Sequence, residues 1–128
     1  MSTRCTVNFT RGEQVEAKIY VHSDGYPEGV HGIPARLAKF FSTVAAHCND
    51  RRFNDPSYLA SKFVVWIAGT LASRYDVHSG EYFPTHALDF IGVGVCLADP
   101  GDIQYTYMVD CNNRDSVTGY PTITVKEI

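Results

Sequence analysis

Residues 5–22 run CTVNFTRGEQVEAKIYVH, and two alternating stretches within them decide how the chain folds. Cys5, Val7 and Phe9 alternate with Thr6, Asn8 and Thr10, the period of two that a strand with one buried face requires. Val15, Ala17, Ile19 and Val21 repeat that period against Glu16, Lys18, Tyr20 and His22. Gly12, between Arg11 and Glu13, marks a turn, so an N-terminal β-hairpin is expected.

Beyond the hairpin the period changes. A loop dense in turn formers, residues 23–29, precedes Pro34, which suits the first turn of a helix because its missing N–H costs nothing there. Ile33, Leu37, Phe40, Phe41, Val44 and Cys48 fall on one helical face. The polar stretch Asn49 to Asn54 breaks that pattern. Asp55 as cap and Pro56 at the first position then start a second helix, with an apolar stripe of Leu59, Phe63, Trp66, Ile67 and Leu71 that ends near Arg74.

Three further strands are expected. The first is Leu88 to Leu97, with Gly92 and Gly94 on one face, which suggests close approach by a helix packed on the sheet. The second carries Ile103, Tyr105, Tyr107 and Val109 after the turn at residues 99–102, and the third runs from Tyr120 to Val125 after a polar loop, Asn112 to Gly119. The order ββααβββ predicts an α+β fold, an antiparallel sheet with two helices packed on one face. At 128 residues the whole chain, 1–128, is expected to form a single domain around one core.

Composition narrows the function classes. A net charge of −3 argues against a DNA or RNA binder, which needs a basic stripe to neutralise phosphates. A small phosphorylated ligand needs only one or two well-placed arginines and stays compatible with that charge. Eight tyrosines and seven phenylalanines suit half-buried strands and also surfaces that stack flat ligands. The longest apolar run, Phe63 to Ala68, is too short to span a bilayer, and the N-terminus carries no apolar signal core, so a cytoplasmic protein is expected. Cys5, Cys48, Cys96 and Cys111 lie far apart without a CxxC pair, which leaves a zinc ribbon unsupported. Cys5, Cys48 and Cys96 are expected to pack in the core.

Several clusters carry chemistry on paper. His22, Asp24 and His31 flank a tight loop, and such sets bind zinc or a harder cation, yet their spacing does not aim them at one point and Asp24-Gly25 is explained as a turn. Nucleophilic catalysis lacks a GxSxG elbow, and His47 and Cys48 point about 100° apart on a helix. No catalytic residue, metal or cofactor is therefore expected. In the polar run Asn112, Asn113, Arg114, Asp115, the arginine can grip a phosphate bidentately or stack on a base, although Asn and Asp also favour a plain hairpin loop. Arg51-Arg52 suits a solvated turn. Tyr82, Phe83 and Phe90 offer a stacking face or, for Phe90, a core position.

At residues 19–30, IYVHSDGYPEGV, the chain resembles a group of short phage and prophage proteins that includes the first type of Thoeris anti-defence protein. The N-terminal Ser-Thr-Arg-x-Thr strand, the two central helices, the strand opening at Asp102 (DIQYTY) and the PTITV ending extend the likeness over most of the chain. The resemblance implies a non-enzymatic sponge in the host cytoplasm that sequesters cyclic ADP-ribose isomers without cleaving them, and for some members cyclic di- or trinucleotides as well. It implies self-assembly as a dimer or a trimer of dimers, and neither DNA nor membrane as partner. Carried over by position, it puts Arg114 and Asn113 at the ligand, with Phe83, Phe90 or Tyr82 stacking the base. Arg74 and His78 would serve a second phosphate site in the higher oligomer. A phage protein–protein interaction module and a small metal-dependent hydrolase around His22, Asp24 and His31 remain the alternatives.

Overall fold

The structure is a computed structural model and describes residues 3–75 and 92–128, with the side chains of 71–75 outside the description. The alternating stretches form β1 (Cys5–Arg11) and β2 (Gln14–Val21), followed by α1 (Ile33–His47) and α2 (Pro56–Tyr75). Three strands complete the order: β3 (Val93–Cys96), β4 (Tyr105–Arg114) and β5 (Pro121–Glu127). They build one five-stranded sheet in the spatial order β3-β2-β1-β4-β5.

The sheet is mixed, which corrects the antiparallel expectation. β1 runs parallel to β4, in a register that sets Val7 against Tyr107 and Phe9 against Val109. The two hairpins, β1–β2 and β4–β5, are antiparallel, as is β2–β3. Alternation cannot tell the two directions apart, because side chains change face at every residue in both.

Cys5, Val7 and Phe9 meet Ile19, Val21, Tyr107 and Val109 on the helix side of the sheet. Ile33, Leu37, Phe40, Phe41 and Val44 of α1, with Leu59, Phe63 and Ile67 of α2, close that core. Trp66 sits only half-buried at its edge, and Leu71 lies outside the described side chains. Phe63 joins the layers, its ring 5.6 Å from Phe9 and 5.4 Å from Phe40. Burying one such ring is worth about 1.5–3 kcal/mol. The other face of β1 is also enclosed: Thr6, Asn8 and Thr10 are buried although the sequence marks them as the outward set. As the central strand, β1 has neighbours on both sides, and Asn8 lies between Lys18 and Met108.

The cysteines depart from expectation in one respect. Cys5 and Cys111 are the buried pair, whereas Cys48 and Cys96 are half-buried, and all four are free. The glycines of β3 also differ. Gly92 lies outside the strand with φ 65°, a conformation only glycine adopts freely. Gly94 pairs with Tyr20, on the face away from the helices, so helix packing is not its reason. The stretch 88–91 of the expected strand lies outside the described residues.

The turn-rich loop after β2 is fixed by backbone contacts. Asp24 takes φ 59°, and Gly25 N donates to Thr3 O at 2.9 Å. The buried Tyr107 hydroxyl donates to Gly25 O at 2.7 Å, and Ile33 N to Tyr26 O at 3.0 Å. The DGYP block therefore pins β2 to the start of α1.

Candidate functional site

The loop between the helices and the β4–β5 hairpin face each other across a cleft of about 350 Å³. Each wall follows from local chemistry. Asp55 caps α2, its Oδ1 accepting from Tyr58 N at 3.4 Å and from Ser57 Oγ at 3.2 Å, and Asp55 N donates to Arg52 O at 3.0 Å. Arg52 takes φ 58°, a left-handed conformation costly for a residue with a Cβ. Its guanidinium is held by Asp50 at 2.8 Å and Asp55 at 3.3 Å, and lies 4.3 Å from the centre of the Tyr58 ring. Arg51 Nη2 donates to Ala45 O at 3.0 Å, taking up one of the carbonyls left free at the C-terminal end of α1.

Phe53 turns inward between these arginines. It is buried, 5.8 Å from Phe41 and 5.6 Å from Tyr120, centroid to centroid. On the opposite wall, Arg114 is the last residue of β4, a correction to its expected place in a loop. The strand runs on through Asn112 and Asn113, and its pairing with β5 shifts between Asp110 and Arg114. Arg114 Nε donates to Gly119 O, and its guanidinium lies 5.4 Å from the Phe53 ring centre. Asp115 shapes the turn: its Oδ1 accepts from Val117 N and Thr118 N, each at 2.8 Å. Those N–H bonds hold its carboxyl below the usual carboxylate range.

Charge in the cleft is uneven. Arg51, Arg52 and Arg114 line it, and among the described residues Asp50 is the one acidic side chain there. Arg52 is already matched by two carboxylates. Arg51 and Arg114 hydrogen-bond to backbone carbonyls, and among the described residues neither has a carboxylate within ion-pair distance. Two guanidiniums with spare donors are suited to a phosphate or pyrophosphate, and the buried Phe53 ring lies on the inner side of the Arg114 guanidinium.

Of the residues singled out from sequence, Arg114 lies in the cleft, while Asn113 is exposed and does not line it. His78, Tyr82, Phe83 and Phe90 lie outside the described residues, and Arg74 sits in the last turns of α2 with its side chain outside the description. His22, Asp24 and His31 do not converge: among the described residues there is no group of three metal-ligating side chains. His22 Nδ1 instead faces Tyr20 OH at 3.1 Å and Arg4 Nε at 3.4 Å. Sequence reasoning missed Arg51, Arg52 and Phe53. Their signal was two arginines and an aromatic in a break between helices, which looks the same as a solvated turn.

Together, fold and cleft define an α+β structure with an arginine-lined cleft at one end of its sheet. Comparison with protein-family models, curated proteins and solved structures gave no match. No described helix is long and apolar enough to cross a membrane.

Proposed function

We propose that the protein is a non-catalytic sponge for small phosphorylated signals of the cyclic ADP-ribose class, acting in phage counter-defence. The observation that carries the reading is that Arg51 and Arg114 line one cleft, and among the described residues neither has a carboxylate partner. A sponge is consumed one for one, so it depends on tight binding. Preorganised donors serve that need because little ordering entropy is lost on contact. The Arg114 contact with the Phe53 ring, its bond to Gly119 O and the Asp115 turn supply that preorganisation. Assembly as a dimer or a trimer of dimers belongs to the same proposal, since a cleft of this size is open on one side and a second copy would enclose the ligand further.

The test is a thermal melt of the protein with cyclic ADP-ribose isomers and, separately, with cyclic di- and trinucleotides, followed by denaturation and analysis of what is released. A ligand that binds only the folded state raises the melting temperature, by about 2.7 kcal/mol of stability at a hundredfold excess over Kd. Recovery of intact ligand supports the sponge. A converted ligand makes the protein an enzyme, and the absence of any shift removes the nucleotide reading.

A further inference from the structure

Asp50 is out of place in a cleft suited to anions. Among the described residues it is the one acidic side chain lining that cleft, and it is 69% exposed. A bare carboxylate there repels an incoming phosphate, since unscreened charge reaches over about 8–10 Å at moderate salt. Arg52 is what cancels it. Arg52 Nε lies 2.8 Å from Asp50 Oδ2, and Arg52 N donates to Asp50 Oδ1 at 3.3 Å, so both carboxylate oxygens are taken by one residue.

The rest of Arg52 is committed within the chain as well. Its Nη1 lies 3.3 Å from Asp55 Oδ2, its guanidinium 4.3 Å from the Tyr58 ring centre, and its carbonyl accepts from Asp55 N at 3.0 Å. Its backbone holds φ 58°, and strain of that kind persists where the surroundings over-determine the conformation. Asp55 has a compensation of its own. As the cap of α2 its Oδ1 accepts from Tyr58 N, and its charge sits at the positive end of that helix. Among the described residues Asp50 has no ion-pair partner besides Arg52. The charges left for a ligand are those of Arg51 and Arg114.

We infer that Arg52 is a positioning residue that acts through Asp50: it masks this carboxylate so that the cleft admits a multiply charged phosphate or pyrophosphate, and it does not itself hold the ligand. The inference rests on the anion-binding part of the proposed function and does not depend on the ligand being a cyclic ADP-ribose isomer. It separates the three arginines by task. Arg51 and Arg114 meet the anion, and Arg52 removes the charge that opposes it.

The experiment titrates inorganic pyrophosphate, and separately cyclic ADP-ribose isomers, into the full chain and its Arg52 and Asp50 variants by calorimetry, with a thermal melt of each variant to check folding. Arg52→Gln bares Asp50 and is expected to weaken pyrophosphate binding about tenfold, roughly 1.4 kcal/mol. Asp50→Asn alone is expected to tighten it. Asp50→Asn added to Arg52→Gln should return the affinity to within about twofold of the parent, the coupling expected of two residues in contact. Arg52→Lys keeps the charge without the planar fork and should stay close to the parent. A double variant as weak as Arg52→Gln overturns the proposal, because Arg52 would then be a ligand of the anion. Unchanged affinity in folded Arg52→Gln overturns it too, and if that variant does not fold, weaker binding by Asp50→Asn does the same. The expected pattern with pyrophosphate but no response to cyclic ADP-ribose isomers supports the masking and removes the sponge. A parent chain that binds neither overturns both.

Discussion

The Arg114 guanidinium lies 5.4 Å from the centre of the buried Phe53 ring, which ties the β4–β5 hairpin to the loop between the helices. The two residues are far apart in sequence and belong to different layers of the fold. Both residues line the same cleft, one from each wall.

Arg114→Ala is expected to weaken binding of a phosphorylated ligand by about 1–3 kcal/mol, the range for losing a charge-assisted hydrogen bond. Arg114→Lys keeps the charge and loses the planar fork, so its affinity should fall between the two. Calorimetric titration of folded variants checks the order. Unchanged affinity in Arg114→Ala removes this residue from the site.

Phe53→Ala is expected to cost about 3–5 kcal/mol of stability, the range for emptying a buried phenylalanine site. The ring also packs on Phe41 and Tyr120, so the loss spreads into the core beyond the cleft. Chemical denaturation of the variant measures it. A cost below about 1 kcal/mol would mean that the site collapses freely and that Phe53 does not brace the arginine.

Gly25→Ala should destabilise the protein by about 1–3 kcal/mol, as overpacking does. A Cβ there would meet Thr3 O at 2.8 Å and Cys5 Cβ at 3.0 Å, and the first of these is backbone that cannot turn aside. Loss of the Tyr107–Gly25 hydrogen bond by Tyr107→Phe leaves one carbonyl short of its donor and should cost about 1–3 kcal/mol. Thermal melts of both variants, compared with the parent, decide the matter. A parent-like melt for Gly25→Ala would show that the loop shifts without strain.

Thiol labelling at neutral pH should divide the cysteines into two classes. Burial pushes the Cys5 thiol up to about 12, an effect the Arg36 charge offsets only in part, and pushes Cys111 to about 11. Thiolate is the reactive form, so both should stay unlabelled in the native protein, while the half-buried Cys48 and Cys96 label. Mass spectrometry after brief alkylation reads the sites. Rapid labelling of Cys5 would point to opening of the β1 region.

Acid should loosen the Asp115 turn before it unfolds the core. The Val117 and Thr118 N–H bonds lower the folded carboxyl relative to the unfolded chain, whose aspartate titrates near about 3.9. The stabilisation is therefore complete above that value and is lost as pH falls through the lower, folded one. Amide exchange at Val117 and Thr118 should rise in that window, and Asp115→Asn, which keeps the acceptor oxygen, should flatten the pH dependence. An exchange profile insensitive to acid would separate the turn from its carboxylate.

Local patterns made much of the fold legible. The β1–β2 hairpin follows from alternation about Gly12, and the start of α2 from Asp55-Pro56, whose cap the Tyr58 amide completes. The apolar face of α1 was read position by position from Ile33 to Val44. The site was less legible. Arg114 stood out by residue type, but Arg51, Arg52 and Phe53 carry no local signature beyond a break in helical period. Whether an arginine is solvated or lines a cleft depends on what faces it, and here that partner comes from the other end of the chain.

The sequence by itself determined where strands and helices form, because propensity, capping and period act within a few residues of each other. It also set the sign of the helix layer, since α1 and α2 contain basic residues and no carboxylate. Only the tertiary structure decided that β1 pairs parallel with β4, that Thr6, Asn8 and Thr10 are enclosed, and that Arg114 closes on Phe53. Those are contacts between segments distant in the chain. A period-two pattern is the same in either strand direction, and an arginine has the same local neighbours whether or not a ring lies beneath it.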